Sequence, residues 1–267
     1  MVEVADNSIT ADISSDADKF NRLAGVVILA GGASKRMGSP KAELVLPTGE
    51  RLLDYHVRQA IELNAAIKNN VPIMIADNER GFNVNQDLMN KKPQPAIFRI
   101  ADYLSADAVS SRNQSSKSLS NKDENQIETG GALVAIEAAL QVLTARENTH
   151  DLTKITDTSS SWLMVISCDS LIPVTDLWQK LWPYIKQTVD KSAVCLTDDS
   201  HLYPLLGVYR LSIEPDLKQY IDDGQRQVMK FIKPIVQAVP FAKQWQHLTN
   251  FNTPKDFERA CLALGDL

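Results

Sequence analysis

Gly25-Val26-Val27-Ile28-Leu29-Ala30-Gly31-Gly32-Ala33-Ser34-Lys35-Arg36-Met37-Gly38-Ser39-Pro40-Lys41 is the stretch on which the reading of the chain turns. Residues 26–30 contain no polar side chain, which suits a central parallel strand covered on both faces. Gly31 and Gly32 let the chain turn tightly and bring backbone N–H groups close to a ligand. Lys35, Arg36 and Lys41 follow within ten residues of Gly31. An apolar strand, then glycines, then cations predicts a site for a polyanion, most simply the phosphates of a nucleotide.

Outward from this stretch, apolar runs alternate with helical periodicity. Residues 43–46 read as a short extended piece, and Pro47-Thr48-Gly49-Glu50 as a turn. Leu52, Leu53, Val57, Ala60, Ile61 and Leu63 recur at helical spacing, predicting a helix over about 50–68. Strands are expected over 71–76, 96–100, 162–166, 193–196, 202–209 and 235–239. Helices are expected over 132–143, from 173 through 185, over 213–221 and through 228–231. A last helix starts with Thr253 as N-cap, Pro254 at the first position and Asp256 reaching back. This alternation predicts an α/β fold, a mainly parallel sheet with helices on both faces. Ligands of such sheets sit at the carboxyl ends of the strands, and Gly31-Gly32, Asp77-Asn78, Asp102 and Asp169 all fall there.

The chain has 267 residues, 44% hydrophobic and 23% charged, with a net charge of −5. That balance suits a globular protein and argues against a general nucleic-acid binder, which would carry a basic surplus. Residues 1–23 hold Glu3, Asp6, Asp12, Asp16 and Asp18 and read as a mobile acidic tail, leaving 24–267 as one domain. Residues 103–128 are rich in Ser, Asn, Gln and Lys and read as a polar, exposed insertion. No apolar run approaches the ~18 residues that would span a membrane. Cys168, Cys195 and Cys261 are widely spaced and match no zinc pattern, so reduced thiols and a cytoplasmic location are expected.

Asp169 directly follows a buried strand, where a carboxylate is costly unless paired, capping a helix or bound to a metal. Facing the glycine loop, it suits Mg2+, which takes few carboxylates and shares phosphate oxygens and water. Asp102 follows the third strand in the same way and is open between a ligand contact and a cap or solvent. Lys41 is a candidate phosphate contact, and Lys35 with Arg36 could neutralise a triphosphate. Neither GxxxxGK[ST] nor GxGxxG nor GxSxG occurs. His56, His150, His201 and His247 read as structural or solvated. A reaction that needs no protein nucleophile is implied. Nucleotidyl transfer to a phosphate is one, because a phosphomonoester with a second pKa of about 6 already attacks as an anion.

The segment from Leu29 to Lys41 resembles the LAGGxSxRMGxxK signature of nucleotidyltransferases with the nucleotide-diphospho-sugar transferase fold, a Rossmann-like doubly wound sheet in a single domain. Among these it is most similar to the molybdenum cofactor guanylyltransferases. Ser167-Cys168-Asp169-Ser170-Leu171-Ile172-Pro173 resembles that family's CDxPxxP segment. Tyr203-Pro204-Leu205-Leu206-Gly207-Val208-Tyr209 is similar to its HPxxGxY strand. Gly224-Gln225-Arg226-Gln227-Val228 resembles a GxRRV-like turn, and Asn250-Phe251-Asn252-Thr253-Pro254-Lys255-Asp256 the closing NxNTPED.

By position, the resemblance implies that Leu29, Ala30 and Gly31 hold the guanine nucleotide together with Asp102, that Lys41 holds its phosphates and that Asp169 holds Mg2+. Gly32 and Asn78 are expected as further nucleotide contacts, and Arg36 as catalytic together with Lys41 and Asp169. The implied reaction is transfer of GMP from GTP to molybdenum-bound molybdopterin, releasing pyrophosphate. Molybdoenzymes or their chaperones would take the product. The family's Asn after the second strand aligns with Ala76, with Asn78 two residues on; its GPLAG is here Gly130-Gly131-Ala132-Leu133-Val134-Ala135, without the Pro and the second Gly; Tyr203 replaces its His. Ser39-Pro40-Lys41 also resembles the related cytidylyltransferases, so CTP or another phosphorylated acceptor is the alternative.

Overall fold

A computed structural model describes residues 23–32, 34, 36–90, 95–104, 131–150 and 161–266. The expected acidic tail, apart from Leu23, and the expected insertion from residue 105 onward lie outside the described residues. So do Lys35 and Gly130.

In chain order the strands are β1 (Leu23–Leu29), β2 (Ile73–Ala76), β3 (Ile97–Arg99), β4 (Trp162–Ser167), β5 (Ala193–Thr197), β6 (Leu202–Arg210) and β7 (Val236–Pro240). They form one sheet in the order β3-β2-β1-β4-β6-β5-β7. β1 pairs in parallel with β2 on one side and β4 on the other. β6 runs antiparallel to both of its neighbours, and the remaining pairings are parallel. The mainly parallel α/β sheet read from the apolar runs is therefore the one found.

The pleat divides the side chains between two cores. Val26, Ile28, Trp162, Met164 and Ile166 face one side, against the helices Leu52–Ala66 (α1) and Val174–Gln187 (α4). Val27, Leu163 and Val165 face the other, against Ala132–His150 (α3) and Glu214–Asp222 (α5). Polar residues in β1 and β4 would have to be buried on one side or the other, which is why both runs are unbroken. A short helix, Gln86–Asn90 (α2), follows β2, and Val228–Ile232 (α6) precedes β7. Pro254–Gly265 (α7) closes the chain. Its N-terminus forms the expected capping box: Thr253 Oγ1 accepts from Asp256 N–H at 3.2 Å, and Asp256 Oδ2 accepts from Thr253 N–H at 3.1 Å. Among the described residues, no helix is long and apolar enough to cross a membrane.

Two local expectations need correction, and one helix was not anticipated. The extended piece expected over 43–46 begins one residue later, because Glu43 closes a 3-10 turn over 41–43 by donating its N–H to Pro40 C=O at 3.0 Å, while Val45 forms an isolated antiparallel bridge with Arg51. Helix α3 runs to His150 rather than ending at about 143, since Ala145, Arg146 and Glu147 are good helix formers. Helix α2 carries no apolar stripe long enough to read; Asn85 starts it by accepting from Asp87 N–H at 2.9 Å.

One buried group makes stability depend on pH. Glu137 of α3 is fully buried, accepts from Gln141 Nε2 at 3.0 Å, and is faced by Glu214 and Lys218 of α5. Burial, and then the neighbouring Glu214 carboxyl, push its pKa up to about 8. The folded chain thus keeps a proton that the unfolded chain releases above pH ~4.3. That stabilisation is complete below the unfolded value and is lost as pH rises through the raised one. Glu137→Gln should raise the melting temperature at about pH 9 and flatten its pH dependence, by on the order of 1 kcal/mol or more. A variant that melts lower than the parent at that pH would overturn this account.

Candidate active site

The strand order places a switch point beside β1: the chain passes from β1 to β2 and β3 on one side, then crosses to β4 on the other. A crevice opens where the carboxyl ends of strands diverge at such a point. Here it is a cleft of about 300 Å3 lined by the exits of β1, β2, β3 and β4, the start of α3 and the approach to α7.

Leu29, Ala30, Gly31, Gly32, Arg36, Lys41, Asn78, Asp102 and Asp169, all expected as site residues, line this one cleft. Ala76 lines it as well, so both positions weighed for the residue after β2 face the same space.

At one end, Lys41 Nζ donates to Asn252 Oδ1 at 3.1 Å and lies 3.7 Å from Asp169 Oδ2. It also sits 5.6 Å from the centre of the Phe251 ring. The backbone N–H of Lys41 donates to Ser34 Oγ at 3.1 Å, and Ser34 Oγ donates to Gly32 C=O at 3.3 Å. The glycine loop and the lysine therefore share one hydrogen-bond chain. Cys168 N–H donates to Leu29 C=O at 3.2 Å, locking the exits of β1 and β4 together just below Asp169. The Cys168 thiol is driven far above its ordinary range by burial and then by Asp169, so it stays a neutral wall and not a nucleophile.

Asp102, half-buried, lines the cleft from the exit of β3. Burial, and then the carboxylates of Glu79 and Asp77, raise its pKa. Its carboxyl therefore takes up a proton at a higher pH than an exposed aspartate would. Its neighbour Tyr103 anchors the segment: the hydroxyl donates to Asp222 Oδ1 at 2.8 Å, and the backbone N–H donates to Val134 C=O at 3.1 Å.

Gly31 is required by close approach. A Cβ there would lie 2.8 Å from Asn78 Cβ and 3.2 Å from Asn78 N. The loop after β1 and the turn after β2 could not then both hold their places. Gly31→Ala should cost about 1–3 kcal/mol, as overpacking does, and should weaken nucleotide binding; an unchanged melting temperature would sink this reading of the contact.

Of the lining residues that the sequence reading of the site did not name, Asn252 and Leu205 come from segments far along the chain. Asn252 sits in the closing segment, whose capping pattern explained it without reference to Lys41, 211 positions away. Leu205 lines the cleft because β6 is antiparallel, so its start, not its end, lies at the carboxyl edge of the other strands. None of the three histidine side chains among the described residues lines the cleft. His56 is fully buried and held neutral by that burial, with its pKa lowered to about 3, while His201 and His247 are exposed. The side chain of His150 lies outside the described residues.

Residues 26–83 match the family model described as the MobA-like NTP transferase domain. The chain is 25% identical over 233 residues to a molybdenum cofactor guanylyltransferase of Yersinia pestis (strain Pestoides F), covering 86% of this chain and 91% of that one. The same figures hold for the enzyme of that name from Yersinia pseudotuberculosis serotype IB (strain PB1/+). In fold it is similar to molybdopterin-guanine dinucleotide biosynthesis protein A from Archaeoglobus fulgidus, with a TM-score of 0.55 at 17% identity, covering 91% of this chain and 100% of that one. HddC from Yersinia pseudotuberculosis shares the fold with a TM-score of 0.51 at 14% identity, covering 90% of this chain and 98% of that one.

Proposed function

We propose that this chain, a nucleotidyltransferase with a MobA-like NTP transferase domain at residues 26–83, transfers GMP from GTP to molybdenum-bound molybdopterin. The supporting observation is the grouping of the glycine loop, Lys41 and Asp169 at one end of a single cleft, in a chain whose relatives carry that activity in their names.

In this reading the phosphate oxygen of the acceptor attacks the α-phosphorus of GTP, the bond from that phosphorus to the β-bridging oxygen breaks, and pyrophosphate leaves. The attacking phosphate is already an anion, so no side chain has to remove a proton. The chain's task is alignment and charge. The Gly31-Gly32 backbone receives the phosphates at close range. Lys41 and the exposed Arg36 offset their charge as the pyrophosphate departs. Leu29, Ala30, Asn78 and Asp102 take the nucleoside portion.

The residues fit Mg2+. Asp169 presents a partly exposed carboxylate to the cleft, and no cluster of three or more metal-ligating side chains occurs among the described residues. A lone carboxylate beside a phosphate site is the donor set of an ion that keeps waters and borrows phosphate oxygens. When bound, such an ion draws charge from the phosphates and favours the leaving group.

The test is pyrophosphate release with molybdopterin and each nucleoside triphosphate in turn, preceded by a thermal-shift series with Mg2+. A ligand at about a hundred times its Kd should stabilise the fold by ~2.7 kcal/mol. GTP is expected to give both the largest shift and the fastest release. Preference for CTP would replace the guanine reading with the cytidylyl one, and release with no nucleotide would remove the reaction altogether.

A further inference from the structure

The turn that leaves β2 is built around a buried carboxylate outside the machinery described so far. Asp77 accepts from Arg99 Nε at 3.0 Å and from Phe82 N–H at 3.2 Å. Arg99 Nη2 also donates to Phe82 C=O. One guanidinium thus closes residues 77–82 into a loop. Within it the backbone enters the left-handed region at Asn78 (φ 54°), Glu79 (φ 59°) and Gly81 (φ 67°). Two of these residues have side chains, and such backbone persists only where its surroundings over-determine it.

The same turn meets the glycine loop twice. Asn78 packs against Gly31 without room for a Cβ. Arg80 Nη1 donates to Gly32 C=O at 3.2 Å, the same oxygen that receives Ser34 Oγ at 3.3 Å. Gly32 C=O therefore has a donor from each side, and through Ser34 it connects to the backbone of Lys41. A carbonyl oxygen free to turn toward a triphosphate would repel it. A carbonyl held by a guanidinium is fixed in direction, and the cation adds charge of the sign a triphosphate needs.

We propose that Arg80 is a positioning residue for the nucleotide's phosphates, and that the Arg99–Asp77 pair holds it in place. The inference rests on the reading of this cleft as a nucleoside triphosphate site. Arg80 acts through the Gly32 carbonyl, and Arg99 acts through Asp77 on the turn that presents Arg80.

The test is calorimetric binding of GTP with Mg2+, without acceptor, set beside binding of guanosine, which has no phosphates. Arg80→Ala should raise the Kd for GTP about tenfold, the loss of roughly one charge-assisted hydrogen bond. The Kd for guanosine and the melting temperature should stay unchanged, because Arg80 is exposed. Arg80→Lys should recover part of the loss. Arg99→Gln should raise the Kd for GTP in the parent and add little in the Arg80→Ala background. Equal weakening of GTP and guanosine, or unchanged GTP binding in Arg80→Ala, overturns the proposal. Where Arg99→Gln does not fold, the two Arg80 variants decide alone. Absence of any triphosphate binding by the parent chain overturns the functional reading itself; GTP binding by the parent with no change in Arg80→Ala overturns this inference only.

Discussion

Asp169→Asn is expected to lower pyrophosphate release by about a thousandfold while leaving the fold intact. The change removes one full charge and almost no volume. Asp169 is 30% exposed on its side chain, and Lys41, 3.7 Å away, keeps its hydrogen bond to Asn252 Oδ1, so the lysine is not left without a partner. Surface changes of this kind usually move stability by less than about 0.5 kcal/mol. The loss should therefore appear in turnover and in its response to added Mg2+, not in the melting temperature. A protein that only binds nucleotide as a regulator would tolerate the substitution. Turnover equal to the parent's would remove Asp169 as the metal ligand and would favour that non-catalytic reading.

Lys41→Ala is expected to be nearly as severe, lowering kcat/KM for the nucleotide about a hundredfold. Its ammonium is held by Asn252 at 3.1 Å, by Asp169 at 3.7 Å and over the Phe251 ring, with only 15% of the side chain exposed. Held from three directions, it is already placed before a phosphate arrives, which is the condition under which a single cation contributes most. Lys41→Arg should restore only part of the rate, because a planar fork cannot occupy the position of a point charge held by three partners. Asn252→Ala should cost less, roughly tenfold, since Lys41 keeps Asp169. Parent-like kinetics in Lys41→Ala would mean that the phosphates bind elsewhere.

Most of the fold was legible because it depends on local rules. β1 and β4 are buried on both faces, so residues 26–30 and 162–166 had to be apolar, and an unbroken run is a signal a sequence displays directly. The start of α7 was legible to the residue because capping is short-range chemistry between Thr253 and Asp256. Helix α2 and the last turns of α3 were not, since neither has an apolar face long enough to distinguish it from a polar loop.

The site divides in the same way. Glycines ahead of cations, and aspartates just past apolar runs, mark the carboxyl edge of a parallel sheet wherever they occur. Local pattern was thus enough to bring together the glycine loop, Lys41, Asn78, Asp102 and Asp169. Contacts between distant segments, which no local pattern encodes, were decided only by tertiary structure. The antiparallel course of β6 brings Leu205 to that edge. The approach of α7 puts Asn252 on the Lys41 ammonium, and the pairing of β2 with β3 sets Arg99 on Asp77. Each depends on which strand lies beside which and in what direction, a choice made by packing the two cores and not by any one stretch of chain.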